Sequence, residues 1–410
     1  MSDRGRTFVI VGAGLAGAKA AETLRVEGFE GRVVLIGEET ERPYERPPLS
    51  KEYLRGESPR EELHVHAASL YQEQEIELRL GEAVAALDTG AREVELSGGE
   101  RLAFDRLLLA TGAEPRRLPV PGADLDGVHY LRSVESSDAI RERLEKGGRV
   151  VVIGGGWIGS EAAASARQRG LEVTLIEPAG ALLERVLGAE LGAVYGQVHE
   201  EHGVELVLGT GVEALEGAGK VERVRTSDGR SFDCDFAIVG IGVVPRTELA
   251  EAAGLDVDNG VVVDANLETS AVGVFAAGDI ARHRHPSFGP LRVEHWANAL
   301  NQGPAAARNM LGRGEPYDRV PYFFSDQYDV GMEYCGYATS WDRVVFRGDP
   351  ASREFIAFWQ REERLLAAMN VNVWDVNETL QSIVADRPAI DVATLEDPEA
   401  PLESLLSGRA

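Results

Sequence analysis

A strand followed by a glycine-rich turn and a helix occurs twice in this chain, and this repeat constrains the fold more than any other feature. The first copy contains FVIVGAGLAG (8–17) and the second contains VVIGGGWIGSE (151–161). Each copy predicts a βαβ unit, in which a helix connects two parallel strands. The predicted elements are a strand 7–12, a helix from about 15 to 27 and a strand 32–37, then a strand 149–153, a helix from about 158 to 169 and a strand 172–177.

The glycines of both turns have the spacing G-x-G-x-x-G, which is typical of dinucleotide-binding turns. In this pattern the first glycine permits the tight turn, the second lets the backbone approach a diphosphate, and the third allows close packing of the helix. The helix N-terminus then faces the anion. The glycines at these positions are Gly12, Gly14 and Gly17 in the first copy and Gly154, Gly156 and Gly159 in the second.

An acidic residue follows or ends the second strand of each unit, Glu38 in the first and Glu177 in the second. Such a carboxylate can accept hydrogen bonds from the diol of a ribose. A single copy is also compatible with a glycine turn that binds nothing. Two copies, each with its acid, favour two adenine dinucleotides and an α/β fold with two Rossmann-like domains.

Two further stretches run from a strand into a turn of small residues, LLLATGAEPR (107–116) and VFAAGDIAR (274–282). Small residues are needed where the backbone passes beside a large cofactor. Asp279, at the end of the second stretch, could bind the ribityl hydroxyls of a flavin, although a plain turn aspartate is the alternative.

Composition excludes several classes of function. The chain has 410 residues, which predicts two to three domains, and its net charge of −26 disfavours binding to nucleic acid or to an anionic membrane. No apolar stretch approaches the roughly 20 residues of a membrane span, and the N-terminal stretch lacks a secretory pattern, so we expect a cytoplasmic protein. Cys234 and Cys335 are far apart in sequence, so no C-x-x-C pair exists and no metal site is expected.

The motifs GAGLAG, RPPLSK, ATG, GGGWIGSE and AAGDIA occur in this order. With them the chain resembles the FAD-dependent NAD(P)H:ferredoxin and rubredoxin reductases over nearly its whole length. The resemblance implies a glutathione-reductase-like architecture with a C-terminal α+β interface domain. The implied domains are FAD-binding, 1–113 and 245–323; NAD-binding, 114–244; and interface, 324–410.

The resemblance also assigns site residues. Lys51, which follows the rigid pair Pro47–Pro48, and Glu161 are the implied catalytic pair, near the flavin N5 and the nicotinamide. The stretch RVEHWANALNQG (292–303) resembles the segment that places a helix N-terminus near the flavin N1. The implied FAD-binding residues are Gly12, Gly14, Ala16, Gly17, Glu38, Arg46, Lys51, Val84, Thr111, Gly112, Arg132, Asp279 and Trp296. The implied NAD-binding residues are Gly154, Gly156, Ile158, Gly159, Glu177, Arg185 and Gly242.

The sequence departs from the family pattern in two respects. Phe324 stands where many members have a tryptophan, although the following Ser325, Asp326 and Gln327 match. No cysteine precedes Cys234, whereas related disulfide reductases and peroxidases need a thiol early in the FAD-binding domain. Electrons are therefore expected to leave the flavin without a protein thiol.

The resemblance implies an enzyme that takes hydride from NADH onto FAD and passes single electrons to a ferredoxin or rubredoxin, which would feed an oxygenase. Glu177, with no cation among Pro178, Ala179 and Gly180, favours NADH over NADPH. Two alternatives remain open: an NADH oxidase or quinone reductase without a protein partner, and a redox-controlled protein similar to apoptosis-inducing factor. Monomer and homodimer also remain open.

Overall fold

The computed structural model describes residues 3–406 of the chain. These residues form two compact units. The first contains residues 3–45, 61–114 and 244–321, and the second contains residues 46–60, 115–243 and 322–406. Within the described residues, no helix is long and apolar enough to cross a membrane.

The α-helices of the described chain are short to medium in length, and short 3₁₀ turns accompany them. The helices are α1 Leu15–Val26, α2 Glu52–Arg55, α3 Ala68–Glu73, α4 Val134–Lys146, α5 Trp157–Gln168, α6 Glu184–Leu187, α7 Ala189–Glu201, α8 Glu248–Ala252, α9 Trp296–Met310, α10 Asn377–Ala385 and α11 Val392–Glu396. The 3₁₀ turns are Asp3–Gly5, Pro47–Ser50, Arg60–Leu63, Pro350–Ser352 and Leu402–Leu406.

The strands lie between these helices, either singly or in runs, and the longest runs without an α-helix are β3–β9, β12–β17 and β22–β26. They are β1 Thr7–Val11, β2 Arg32–Gly37, β3 Ile76–Leu80, β4 Val84–Asp88, β5 Glu93–Leu96, β6 Arg101–Ala103, β7 Arg106–Leu109, β8 Ala113–Pro115, β9 Val128–Tyr130, β10 Arg149–Ile153, β11 Glu172–Glu177, β12 Val204–Leu208, β13 Val212–Glu216, β14 Arg223–Thr226, β15 Ser231–Asp233, β16 Phe236–Val239, β17 Val243–Pro245, β18 Val261–Val263, β19 Val274–Ala276, β20 Ala281–His285, β21 Gly289–Leu291, β22 Tyr322–Gln327, β23 Val330–Gly336, β24 Arg343–Asp349, β25 Glu354–Arg361 and β26 Arg364–Val371.

A parallel sheet in the order β19-β7-β1-β2-β3 forms the centre of the first unit. Its central strands are nearly continuous apolar runs, such as TFVIV in β1 and RVVLIG in β2. Such runs are expected where both faces of a parallel sheet are covered. The first predicted βαβ unit is confirmed, with β1, α1 and β2 each within one residue of the predicted bounds.

A second parallel sheet, in the order β12-β11-β10-β16-β9, lies in the second unit. Here β10, α5 and β11 form the second predicted βαβ unit, and α5 begins one residue earlier than expected. Each of the two parallel sheets contains one strand–turn–helix motif. The sheets confirm the predicted α/β class with two Rossmann-like folds.

The C-terminal part of the second unit is an antiparallel sheet in the order β22-β23-β26-β25-β24. Helix α10 packs against β23 and β26, and α11 packs against β24. This segment confirms the expected α+β character of the C-terminal region. The assignment of segments to FAD and NAD stays a prediction, and residues 46–60, predicted within the FAD-binding domain, belong to the second unit.

Helices α1 and α9 of the first unit pack closely because glycine lies at their contact. A β-carbon added at Gly303 in α9 would collide with the carbonyl oxygen of Ala16 in α1. Gly196 in α7 offers a matched comparison, because a β-carbon there would lie 3.5 Å from the Leu206 Cδ1, an ordinary contact.

We predict that Gly303→Ala lowers the free energy of unfolding by about 1–3 kcal/mol, since the new methyl group overpacks the helix contact. Gly196→Ala should raise it by about 0.5–1 kcal/mol, because alanine is the better helix former. Urea denaturation of both variants checks this pair, and equal effects of the two substitutions would contradict it.

Candidate functional site

The two glycine turns have the same local geometry. Gly12 and Gly154 adopt φ values of 114° and 104°, in the region that favours glycine. A β-carbon at either would collide with a backbone carbonyl oxygen, that of Ala110 or that of Gly240. Each turn can therefore be built only with glycine at its first position.

The remaining glycines of each motif lie in two different environments. Gly17 and Gly159 touch the carbonyl oxygen of the first glycine in their own turn, so a β-carbon at either would collide with it. Gly14 and Gly156 face open space, with no atom within 4 Å of an added β-carbon. That open side leaves room for a diphosphate to approach the backbone.

Both helices that follow these turns begin at a glycine that provides no side-chain cap. Gly14 precedes α1 and Gly156 precedes α5, and neither helix has a side-chain hydrogen bond at its first turn. The first N–H groups of a helix need partners, and an anion satisfies them. The chemistry of both turns thus fits the diphosphate of a dinucleotide.

Glu177 is buried beside the second turn. One carboxylate oxygen accepts a hydrogen bond from Gly155 N at 2.6 Å and the other accepts one from Ala179 N at 2.9 Å. These contacts hold the carboxylate against the loop at the end of β11. The predicted neighbour Arg185 lies in α6 and is exposed.

Glu38, the corresponding acid of the first unit, is paired with an arginine that the sequence did not indicate. Arg246 Nη2 lies 2.6 Å from Glu38 Oε2. The Arg246 backbone is held in turn by the ATG turn, since its carbonyl accepts from Thr111 Oγ1 and its N–H donates to the Gly112 carbonyl, both at 3.0 Å. The structure thus brings Glu38, Thr111 and Gly112 together through Arg246.

The turn that carries Asp279 is held by a buried glutamine. Gly278 N donates to Gln302 Oε1 at 2.9 Å, and Gln302 Nε2 lies 3.2 Å from His283 Nδ1. The Asp279 carbonyl accepts from Arg292 Nη1 at 3.0 Å. Gln302 and His283 therefore fix the backbone of this turn, and the Asp279 side chain is half-buried.

The other predicted cofactor residues lie in several settings. Arg46 Nη1 donates to the Arg132 carbonyl at 2.5 Å. Trp296 is the first residue of α9, and its Nε1 donates to Glu45 Oε2 at 3.0 Å. Val84 is the first residue of β4 and packs against the core of the first unit. Of the remaining residues, Ile158 is exposed, Ala16 is buried, and Gly242 has a positive φ of 97°.

Lys51 and Glu161 form a buried ion pair in the second unit, with 3.0 Å between Lys51 Nζ and Glu161 Oε2. Only 9% and 5% of the two side chains are exposed. The carboxylate also accepts hydrogen bonds from Ser50 Oγ at 2.5 Å and Ser325 Oγ at 2.7 Å. Three donors compensate the desolvation of one carboxylate, and losing a partner of such a pair costs about 3–5 kcal/mol.

Two serine hydroxyls fix the backbone that carries Lys51. Ser137 Oγ in α4 donates to the Leu49 carbonyl at 2.9 Å, and Ser165 Oγ in α5 donates to the Ser50 carbonyl at 2.6 Å. Lys51 Nζ also lies 5.4 Å from the centre of the Phe324 ring, within the range of a cation–π contact. The residue that departs from the family pattern is therefore a neighbour of the ion pair.

Comparison with known proteins agrees with this geometry. A family model described as pyridine nucleotide-disulphide oxidoreductase matches residues 6–303. The chain belongs to this family. A second model, described as reductase C-terminal, matches residues 322–406, the region of the antiparallel sheet.

Individual members of the family match nearly the full chain. Putidaredoxin reductase of Pseudomonas putida is 39% identical over 97% of this chain and 96% of its own. The ferredoxin–NAD(+) reductase component of the anthranilate 1,2-dioxygenase system of Burkholderia cepacia is 40% identical over 97% and 99%. The crystal structure of the covalent putidaredoxin reductase–putidaredoxin complex superposes with a TM-score of 0.94 at 38% identity, covering 98% of each chain.

The two cysteines of this family member are unsuited to disulfide exchange. Cys234 and Cys335 are free and buried. Burial raises the pKa of the Cys234 thiol to about 12 and raises the pKa of Cys335 as well. A thiol that stays protonated is a poor nucleophile, so neither residue has the reactivity that thiol–disulfide chemistry needs.

Sequence reasoning missed most of the polar residues around the ion pair. Ser50 lies within the RPPLSK motif and Ser325 within the matching SDQ stretch, so the motifs contained a signal for both. Nothing local in the sequence pointed to Ser137 or Ser165, or to Arg246 beside Glu38, because their partners are distant along the chain.

We predict that part of the acid sensitivity of the protein comes from His283. Burial, with a smaller effect of His285, lowers the His283 pKa to about 4, below the unfolded value of roughly 6.5. Between about pH 6.5 and pH 4 the imidazole of residue 283 is therefore protonated in the unfolded chain but neutral in the folded one. Roughly 3 kcal/mol of folding stability is thus present above about pH 6.5 and is lost as the pH falls toward 4.

The check is the unfolding free energy of wild type and His283→Gln across this pH range. The stability difference between them should shrink as the pH falls from about 6.5 to 4 and stay constant above about pH 7. A constant difference throughout would show that His283 is not held neutral by the fold.

Proposed function

We propose that the protein is an NADH-dependent ferredoxin reductase that binds FAD at the first glycine turn and NADH at the second. The observation that carries the proposal is the pair of complete dinucleotide turns, each with an open second glycine and an uncapped helix N-terminus. The named relatives, which include putidaredoxin reductase and a dioxygenase ferredoxin reductase component, support the choice of acceptor.

The residues of the first unit would hold FAD. Gly12, Gly14 and Gly17 offer the diphosphate site, Glu38 offers its carboxylate to a ribose, and Asp279 is held in its turn by Gln302. When bound, FAD supplies the atom that accepts hydride and the means to release electrons one at a time. Arg246 would orient Glu38 for the ribose.

In the second unit, Gly154, Gly156 and Gly159 would hold the diphosphate of NADH, and Glu177 would hold a ribose. Lys51 and Glu161 would then serve as a fixed pair of charges beside the reacting groups. Their partners hold both side chains in place, so little reorganisation is needed during hydride transfer. No protein nucleophile is required.

A small iron–sulfur protein, a ferredoxin or a rubredoxin, is the proposed electron acceptor, with an oxygenase downstream. The protonated, buried thiols support transfer without a protein disulfide. They also support a reducing compartment, so we propose the cytoplasm as the location.

The test is to purify the protein, measure its bound FAD, and mix it anaerobically with NADH. We expect rapid bleaching of the flavin absorbance, followed by reoxidation by a [2Fe–2S] ferredoxin or a rubredoxin. Reoxidation by oxygen or quinones that outpaces every iron–sulfur acceptor would favour an oxidase or quinone reductase. A folded protein that cannot be loaded with FAD would contradict the proposal.

Coenzyme choice gives a sharper prediction. Because the Glu177 carboxylate is buried and close to the turn, a 2′-phosphate would meet a like charge there. We expect kcat/KM for NADH to exceed that for NADPH by at least about tenfold, equivalent to roughly 1.4 kcal/mol.

Glu177→Ala should bring the NADH-to-NADPH ratio below about tenfold, measured with a dye acceptor. Glu184→Ala is the matched control, because Glu184 also accepts a backbone hydrogen bond in this loop, from Ala181 N at 2.9 Å. It should leave the ratio unchanged. An unchanged ratio in Glu177→Ala would show that this carboxylate does not select the ribose.

A further inference from the structure

A row of buried hydrogen bonds connects Glu161 with helix α7. Ser325 Oγ donates to Glu161 Oε1 at 2.7 Å, and Gln327 Nε2 donates to Ser325 Oγ at 3.3 Å. Gln327 Oε1 lies 2.9 Å from His199 Nε2, and Tyr328 Oη lies 3.3 Å from His199 Nδ1. Ser325, Gln327 and His199 are at most 1% exposed.

The direction of each hydrogen bond in this row is fixed by its members. Because the Gln327 amide oxygen can only accept, His199 must carry its proton on Nε2 and accept from Tyr328 at Nδ1. Burial lowers the His199 pKa to about 4, so the ring is neutral at ordinary pH and has one proton to place. Every donor in the row therefore points toward the Glu161 carboxylate, and such bonds polarise one another.

The row cannot conduct protons. An amide nitrogen neither gains nor loses a proton at ordinary pH, so Gln327 interrupts any transfer between His199 and Ser325. The row therefore contributes orientation. It determines which way the Ser325 hydroxyl points, and so where the Glu161 carboxylate lies relative to Lys51.

The hairpin turn between β22 and β23 is held to α7 at the same place. Tyr328 has a φ of 56°, a conformation that is costly for a residue with a side chain. Its ring stacks on His202, with 3.7 Å between the ring centres. The contacts of Tyr328 with His199 and His202 hold this hairpin turn. The position of the turn then sets the position of Ser325 and Gln327 in β22.

We infer that His199 and Gln327 are positioning residues for hydride transfer, acting through Ser325 to hold Glu161 against Lys51. The inference rests on the proposed function, in which this ion pair lies beside the reacting groups. It assigns a role to His199 in α7, which no motif in the sequence indicated, and to Gln327, which lies in the matching SDQ stretch.

Two substitutions at His199 separate positioning from simple packing. The amide nitrogen of His199→Gln reaches the place of Nε2 and keeps the donor to Gln327, whereas that of His199→Asn reaches only the place of Nδ1. Flavin reduction at saturating NADH should fall about tenfold in His199→Asn and stay within about threefold of wild type in His199→Gln. Tyr328→Phe, which removes only the outermost hydroxyl, should resemble wild type.

A second readout needs no electron transfer. Lys51 is one of four lysines in the chain, so its labelling by an amine-reactive ester is easily followed by mass spectrometry of the FAD-loaded protein. If Glu161 loosens, Lys51 becomes more reactive. Labelling of Lys51 should be faster in His199→Asn than in wild type or His199→Gln, while the exposed Lys146 serves as an internal control.

The outcomes distinguish this inference from the proposed function. Equal Lys51 labelling and equal reduction rates in His199→Asn and His199→Gln would overturn the positioning role while leaving the reductase intact. Faster Lys51 labelling in His199→Asn, together with a wild-type protein whose flavin NADH does not reduce, would support the hold of His199 on Glu161 but contradict the proposed reductase function. If a His199 variant fails to fold, Gln327→Leu takes its place, because leucine removes both the donor to Ser325 and the acceptor from His199. Faster Lys51 labelling than in wild type would support the positioning role, and unchanged labelling would overturn it.

Discussion

The buried ion pair of Lys51 and Glu161 is the interaction on which the arrangement of the second unit depends. Two charges out of water are stable only when each has well-placed partners. The partners come from the segment before α2, from α5 and from β22, which are far apart in sequence. These three segments must therefore come together correctly before the pair can be buried without a large penalty.

The serines explain how this requirement is met. Ser165 lies one turn after Glu161 on α5, so one helix face supplies both the carboxylate and the hydroxyl that anchors the Ser50 carbonyl. Ser50 then returns its own hydroxyl to Glu161. Residue 50 therefore accepts a hydrogen bond from α5 through its carbonyl and donates one to α5 through its hydroxyl. These two bonds leave the neighbouring Lys51 with little conformational freedom.

The repeated βαβ units were predictable from the sequence because their signals are local. Apolar runs mark β1, β2, β10 and β11, and the glycines mark where each strand ends and each helix begins. The close packing at Gly17 and Gly159 also followed from the spacing, since each meets the first glycine of its own turn. The carbonyl groups that crowd Gly12 and Gly154 belong to distant residues, Ala110 and Gly240, and the approach of a diphosphate to Gly14 and Gly156 stays a prediction.

The environment of the site could not be predicted in the same way. The Arg246 side chain meets Glu38 across more than 200 residues of chain, and His199 meets Gln327 across 128 positions. A polar residue on a helix or strand gives no local sign of such a partner, because the contact is created only by the tertiary fold. Polar residues near a motif, such as Ser50 and Ser325, were within reach of sequence reasoning, and more distant ones were not.

Under the proposed function, Lys51 and Glu161 act as one unit in hydride transfer from NADH. The most direct measurement is the rate of flavin reduction in Lys51→Met, in Glu161→Gln and in the double variant. We expect each single variant to be slowed by about tenfold or more and the double variant to be no slower than the slower of the two single variants. Losses that multiply in the double variant, or wild-type rates in both single variants, would contradict it.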